Sequence, residues 1–200
     1  MMKYPDYYTQ IEPIILKDDL ANFLGAFDQG LIEFTFVDIV KSAGHACPTV
    51  LGAYLMTLQG LKALYGKEVP KRGEILVSFS QKEDEGVAGV IANVVGQITG
   101  ATVSRGFKGL AGQFDRRNLM SFEQNIEGSV CFTRIDNQES VTVSYDASSV
   151  PADPEMPALM QASIQGLATK EQQVRFTKLW QKRVAAIAEN VEHLVKVTRA

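Results

Sequence analysis

The segment Gly44-His45-Ala46-Cys47-Pro48 sets an imidazole two residues from a thiol, just ahead of an apolar run over residues 49–65. The chain holds only two histidines and two cysteines, so this stretch concentrates half of each. Pro48 suits a first helical position, where its missing N–H is not needed and its fixed φ is already helical. Cys47 then falls at the N-cap, among backbone N–H groups that the helix leaves unpaired. The positive end of the helix dipole favours a thiolate there. A thiolate beside an imidazole can ligate a soft or borderline metal, or act as a nucleophile or redox thiol. It can also serve as a plain capping group beside a packed histidine. Residue types and spacing leave these three roles open.

Catalytic zinc takes three protein ligands and a water. A third donor must therefore come from a distant part of the sequence, and the candidates are Cys131, His193, Asp38 and the cluster Glu83-Asp84-Glu85. Asn93 and Glu85 are candidates to orient a substrate or move a proton. A second group of interest lies in the Gly-rich connection over residues 104–118, which carries Arg105, Lys108, Arg116 and Arg117. Connections of that length in compact domains are often functional, and an arginine can clamp an anion in bidentate fashion. Arg105 and Lys108 are the candidates for binding an anionic substrate. The sequence has no dinucleotide fingerprint after a strand and no Gly-x-Ser-x-Gly elbow.

These groups are positioned by elements of both kinds. Residues 18–27 read as a short helix with Leu20, Phe23, Leu24 and Phe27 on one face, and residues 31–37 as a strand or loop. Leu51, Tyr54, Leu55, Leu58, Leu61 and Tyr65 recur at helical spacing after Cys47, with Gly66 as a stop. Residues 74–80 alternate as a strand. Residues 85–98 repeat Val87, Val90, Ile91, Val94, Val95 and Ile98 at helical spacing despite many β-branched side chains, and Gly100 ends them. Residues 102–107 are a weak strand, while 129–135 and 140–145 form a hairpin across Asp136-Asn137. A connector with three prolines spans residues 146–157, leading to a helix over 156–167. Thr169-Lys170-Glu171-Gln172 has the form of a capping box. It opens a long helix with Phe176, Leu179, Trp180, Val184, Ile187, Val191 and Leu194 on one stripe. The sum is an α+β fold, a mainly antiparallel sheet packed with helices, plus a C-terminal helical arm.

Composition narrows the function classes. The 200 residues are 46% hydrophobic, enough for a sizeable core, and carry a formal charge of −3. No basic stripe is present, which argues against nucleic acid as a partner. Two distant cysteines do not make a secreted disulfide framework. The first fifteen residues include Lys3, Asp6 and Glu12 and do not read as a signal peptide. No apolar run is long enough to span a bilayer. The expectation is a cytoplasmic protein without a membrane or nucleic-acid partner.

The Gly44-His45-Ala46-Cys47-Pro48 segment with Leu51-Gly52 resembles the Gly-His-x-Cys-Pro-Gly…Leu-Gly signature of the FmdE-like family, which takes its name from association with formylmethanofuran dehydrogenase. Residues 97–102 are similar to that family's Leu-Thr-Gly-Cys-Thr turn, and Asn118-Leu119, the hairpin and the Trp180 helix also have counterparts. The resemblance covers roughly residues 30–195. It implies an α+β domain over residues 1–150, with residues 151–200 as a helical extension packing on that domain or on a partner in a homodimer. It implies a transition metal, most often zinc, held by His45, Cys47 and a further cysteine. It also implies metal-dependent binding of, or catalysis on, a small molecule, with no transfer of formylmethanofuran dehydrogenase activity itself. The sequence departs from the family pattern at Ala43, Thr49, Val90, Asn93 and Ala101, where family members carry His, Gly, Cys, Asp and Cys. It also lacks a Cys-rich tail. An alternative is a non-catalytic binding or assembly protein that has lost part of the metal site, with the Trp180 helix packing on a partner.

Overall fold

The computed structural model describes residues 3–199. Seven helices are present among them: α1 (Asp19–Phe23), α2 (Phe36–Ala43), α3 (Pro48–Tyr65), α4 (Ala88–Thr99), α5 (Met156–Ile164), α6 (Lys170–Glu189) and α7 (Val191–Leu194). The strands are β1 (Ile14–Lys17), β2 (Leu31–Phe34), β3 (Ile75–Phe79), β4 (Met120–Ser121), β5 (Val130–Arg134), β6 (Ser140–Tyr145) and β7 (Val195–Arg199). β1 and β2 make a small antiparallel sheet. The other strands form one sheet in the order β4-β3-β5-β6-β7, in which β3 and β4 run parallel and the remaining pairs antiparallel. The α+β expectation holds.

α3 is the axis of the molecule. Its predicted stripe is buried, and so are Val50, Ala53, Met56 and Leu64 on its other sides. The reason is that β5, β6 and β7 cover one flank while α2, α4 and α6 pack on the others. A helix surrounded in this way is apolar all round. Each fully buried large apolar side chain, such as Leu51 or Leu55, contributes about 1.5–3 kcal/mol. Two glycines let α3 approach the sheet. A Cβ at Gly60 would meet the Phe132 ring at 2.7 Å, and one at Gly52 would overlap the Tyr145 ring.

Several expectations need correction. α1 ends at Phe23 and leaves Phe23, Leu24 and Phe27 exposed at 66%, 60% and 51%, so they form no core face. Residues 31–37 divide into β2 and the start of α2. Thr35 caps α2 in a capping box with Asp38, a pairing that outweighs the strand propensity of Phe36 and Val37. Residues 102–107 form no strand. The C-terminal stripe does not continue as one helix: α6 ends at Glu189, and β7 returns to pair with β6. Within that stripe Leu179, Val184, Ile187 and Leu194 are buried in the same chain. The helix and strand together complete the layer over α3.

One buried charge cluster pins the N-terminal hairpin to the rest. Asp18 caps α1 through the N–H groups of Leu20 and Ala21. It also accepts hydrogen bonds from Arg72 at 2.9 Å and Arg116 at 2.7 Å. The Arg116 guanidinium packs against Gly73, where a Cβ would leave it no space.

Candidate functional site

The loop between α2 and α3 is supported at nearly every residue. Gly44 ends α2 in the left-handed region at φ 76°, where a side chain would be strained. His45 Nδ1 lies 3.0 Å from the Ala43 carbonyl. A carbonyl only accepts, so Nδ1 carries the proton, and in the neutral ring Nε2 is left as the acceptor. Trp180 Nε1 donates to the Ala46 carbonyl at 2.8 Å, so α6 holds the residue between His45 and Cys47. Cys47 is the N-cap of α3, its Sγ accepting from Val50 N–H at 3.3 Å. The Tyr145 hydroxyl donates to the Pro48 carbonyl at 3.0 Å.

Tyr145 is the residue that sequence reasoning passed over. Burial pushes its phenol up to about 12, with Arg183 nearby pulling the other way and Cys47 adding to the rise. It therefore stays protonated at neutral pH and remains a donor. The only sequence signal for it was its place at the end of the β6 alternation.

A cavity of about 830 Å³ opens beside this loop. α2 contributes Ile39, Ser42 and Ala43, the loop contributes His45, and α4 contributes Val90, Asn93, Val94 and Gln97. The segment after α4 closes one side with Ala101, Thr102, Val103, Ser104 and Arg105, and Glu83 and Met120 complete the wall. Asn93 and Gln97 sit one turn apart on α4, so both amides face the same side. The volume falls in the range of small-molecule sites, and the mixture of apolar walls with a few convergent polar groups is what such sites use.

The structure brings together His45, Asn93, Arg105 and Glu83 of the sequence candidates. The others lie elsewhere. Lys108 and Glu85 are exposed and do not line the cavity, and Glu85 instead accepts from the Lys82 N–H at 3.2 Å. Arg116 is committed to Asp18, and Arg117 to Asp115 at 2.6 Å. Asp38 closes the α2 capping box and pairs with Lys41 at 3.1 Å. Its carboxyl lies below the ordinary value because hydrogen bonds from Thr35 and Lys41 overcome the opposing effect of burial. Cys131 points away from α3: its neighbour Phe132 faces Gly60, and strand alternation sends the Cys131 thiol to the opposite face, beside Ser78 and Thr142. His193 is exposed on α7. Among the described residues, no three His, Cys, Asp or Glu side chains gather where one ion could be held.

The family model described as "FmdE, Molybdenum formylmethanofuran dehydrogenase operon" matches residues 43–196, from the end of α2 into β7. No curated protein matches the chain.

Proposed function

Because the chain belongs to the FmdE family, we propose that it is a small-molecule-binding protein whose ligand occupies the cavity between α2, α4 and residues 101–105. The observation that carries this reading is the cavity itself, with a histidine of fixed orientation on its wall. Its apolar lining from Ile39, Val50, Val94 and Met120 would take the body of the ligand. The polar groups at Ser42, His45, Asn93 and Gln97 would set its orientation.

The metal-dependent form of the reading takes His45 and Cys47 as ligands of zinc. The side chains present do not complete such a centre, because catalytic zinc takes three protein ligands and no third donor joins these two among the described residues. The operon in the family description likewise carries no reaction over to this chain.

The test uses N-phenylnaphthylamine, an uncharged probe that fluoresces in apolar cavities. Saturable binding to wild type, lost in Val90→Trp and Val94→Trp, supports the cavity as a ligand site. Binding that is absent, or unchanged in both variants, overturns it. Elemental analysis of the same wild-type protein beside His45→Ala and Cys47→Ala decides the metal form. Near-stoichiometric zinc in wild type, lost in both variants, adds the metal, whereas zinc-free protein that binds the probe leaves the small-molecule reading without it.

A further inference from the structure

The charges around the cavity are sparse and unequal in their commitments. Arg105 lines it, is exposed, and makes no ion pair or side-chain hydrogen bond among the described residues. Each other basic residue of the same connection is placed differently: Arg116 and Arg117 are spent on aspartates, and Lys108 lies off the cavity. Among the described residues, Glu83 is the one carboxylate on the wall. His45, with its proton held on Nδ1 by Ala43, offers Nε2 as an acceptor when neutral.

A wall with one uncommitted guanidinium, one carboxylate and one imidazole acceptor has a defined complement. The guanidinium matches a planar or tetrahedral oxyanion in bidentate fashion. The carboxylate and the imidazole nitrogen each accept, so they match O–H or N–H groups on the same molecule. We propose that the cavity binds a small acid: an oxyanion held by Arg105, a hydrogen-bond-donating group turned to Glu83 and His45, and an apolar body against Val90, Val94 and Met120. This assignment rests on the cavity being a ligand site and names the class of ligand it takes.

A matched pair of probes separates the two claims. Anilinonaphthalene sulfonate carries an oxyanion, an N–H and apolar rings, while N-phenylnaphthylamine keeps the N–H and rings without the anion. Wild type should bind both. Arg105→Gln should weaken the sulfonate probe by up to about fivefold, the scale of one exposed ion pair, and leave the neutral probe unchanged. Arg105→Lys should recover part of the loss, because it restores charge without the fork. Competition by acetate against inorganic phosphate at matched ionic strength then tells whether the site prefers a carboxylate or a phosphate. Equal binding of the sulfonate probe to wild type and Arg105→Gln, with the neutral probe still lost in Val90→Trp, overturns the oxyanion assignment and keeps the cavity. Loss of neither probe in Val90→Trp overturns both.

Discussion

At the scale of single residues, the loop from Gly44 to Pro48 holds its shape because each group has one task. Cys47 supplies a sulfur acceptor to Val50 N–H, and sulfur is a weak acceptor compared with a hydroxyl. Cys47→Ser should therefore keep the cap and change stability by less than about 0.5 kcal/mol, whereas Cys47→Val should cost about 1 kcal/mol, read by urea unfolding. A Ser variant as destabilised as Val would show that the sulfur serves something other than the cap. Much of this was legible in advance: Pro48 marks the first turn, and the residue before it must be the cap. The orientation of His45 was not legible, since it is set by a carbonyl two residues away. Nor was the support from Trp180 and Tyr145, which reaches the loop from positions far along the chain.

At the scale of elements, the contact between α3 and the sheet is set by its two small residues. Gly52→Ala would gain about 1 kcal/mol of helix propensity in isolation. Here the added methyl meets the Tyr145 ring, and overpacking of that kind costs about 1–3 kcal/mol. We expect a net loss of thermal stability in Gly52→Ala, partly relieved when Tyr145→Leu is added, and additive losses would contradict the direct clash. Periodicity identified α3, α4, α6, β3 and the β5–β6 hairpin because large apolar residues recur in each with the period of its own element. It failed at α2, where Thr35 and Asp38 are the signal and the side chains Phe36 and Val37 suit either state. It failed again at β7, where Val195, Val197 and the intervening polar residues alternate but directly follow a helical stripe. The site candidates divided in the same way. Sequence could nominate charges, but only tertiary pairing showed that Arg116 and Arg117 are already engaged while Arg105 is not.

At the scale of the whole molecule, the Asp18 cluster makes stability depend on acid. Burial alone would raise the Asp18 carboxyl, but hydrogen bonding to Arg72, the charge of Arg116 and the Ala21 N–H outweigh it and hold it below its ordinary 3.8. A carboxyl depressed in the folded chain contributes fully above its unfolded value and loses that contribution as pH falls through the lower, folded value. Wild type should therefore lose more unfolding free energy between neutral pH and about pH 3 than Asp18→Asn does. The variant should start about 3–5 kcal/mol less stable, because Arg116 is left buried without its partner. Parallel acid limbs in urea titrations would assign the pH dependence to other groups. The sheet carries one more consequence. An open row of backbone donors is an invitation to fibrous self-association, and both margins of this sheet are defended. β4 is only two residues long and gives way to a loop whose Gln124 N–H caps the Phe79 carbonyl, while β7 sets Lys196 and Arg199 along the other margin. Such margins direct any lasting contact through this sheet to side chains rather than to strand exchange.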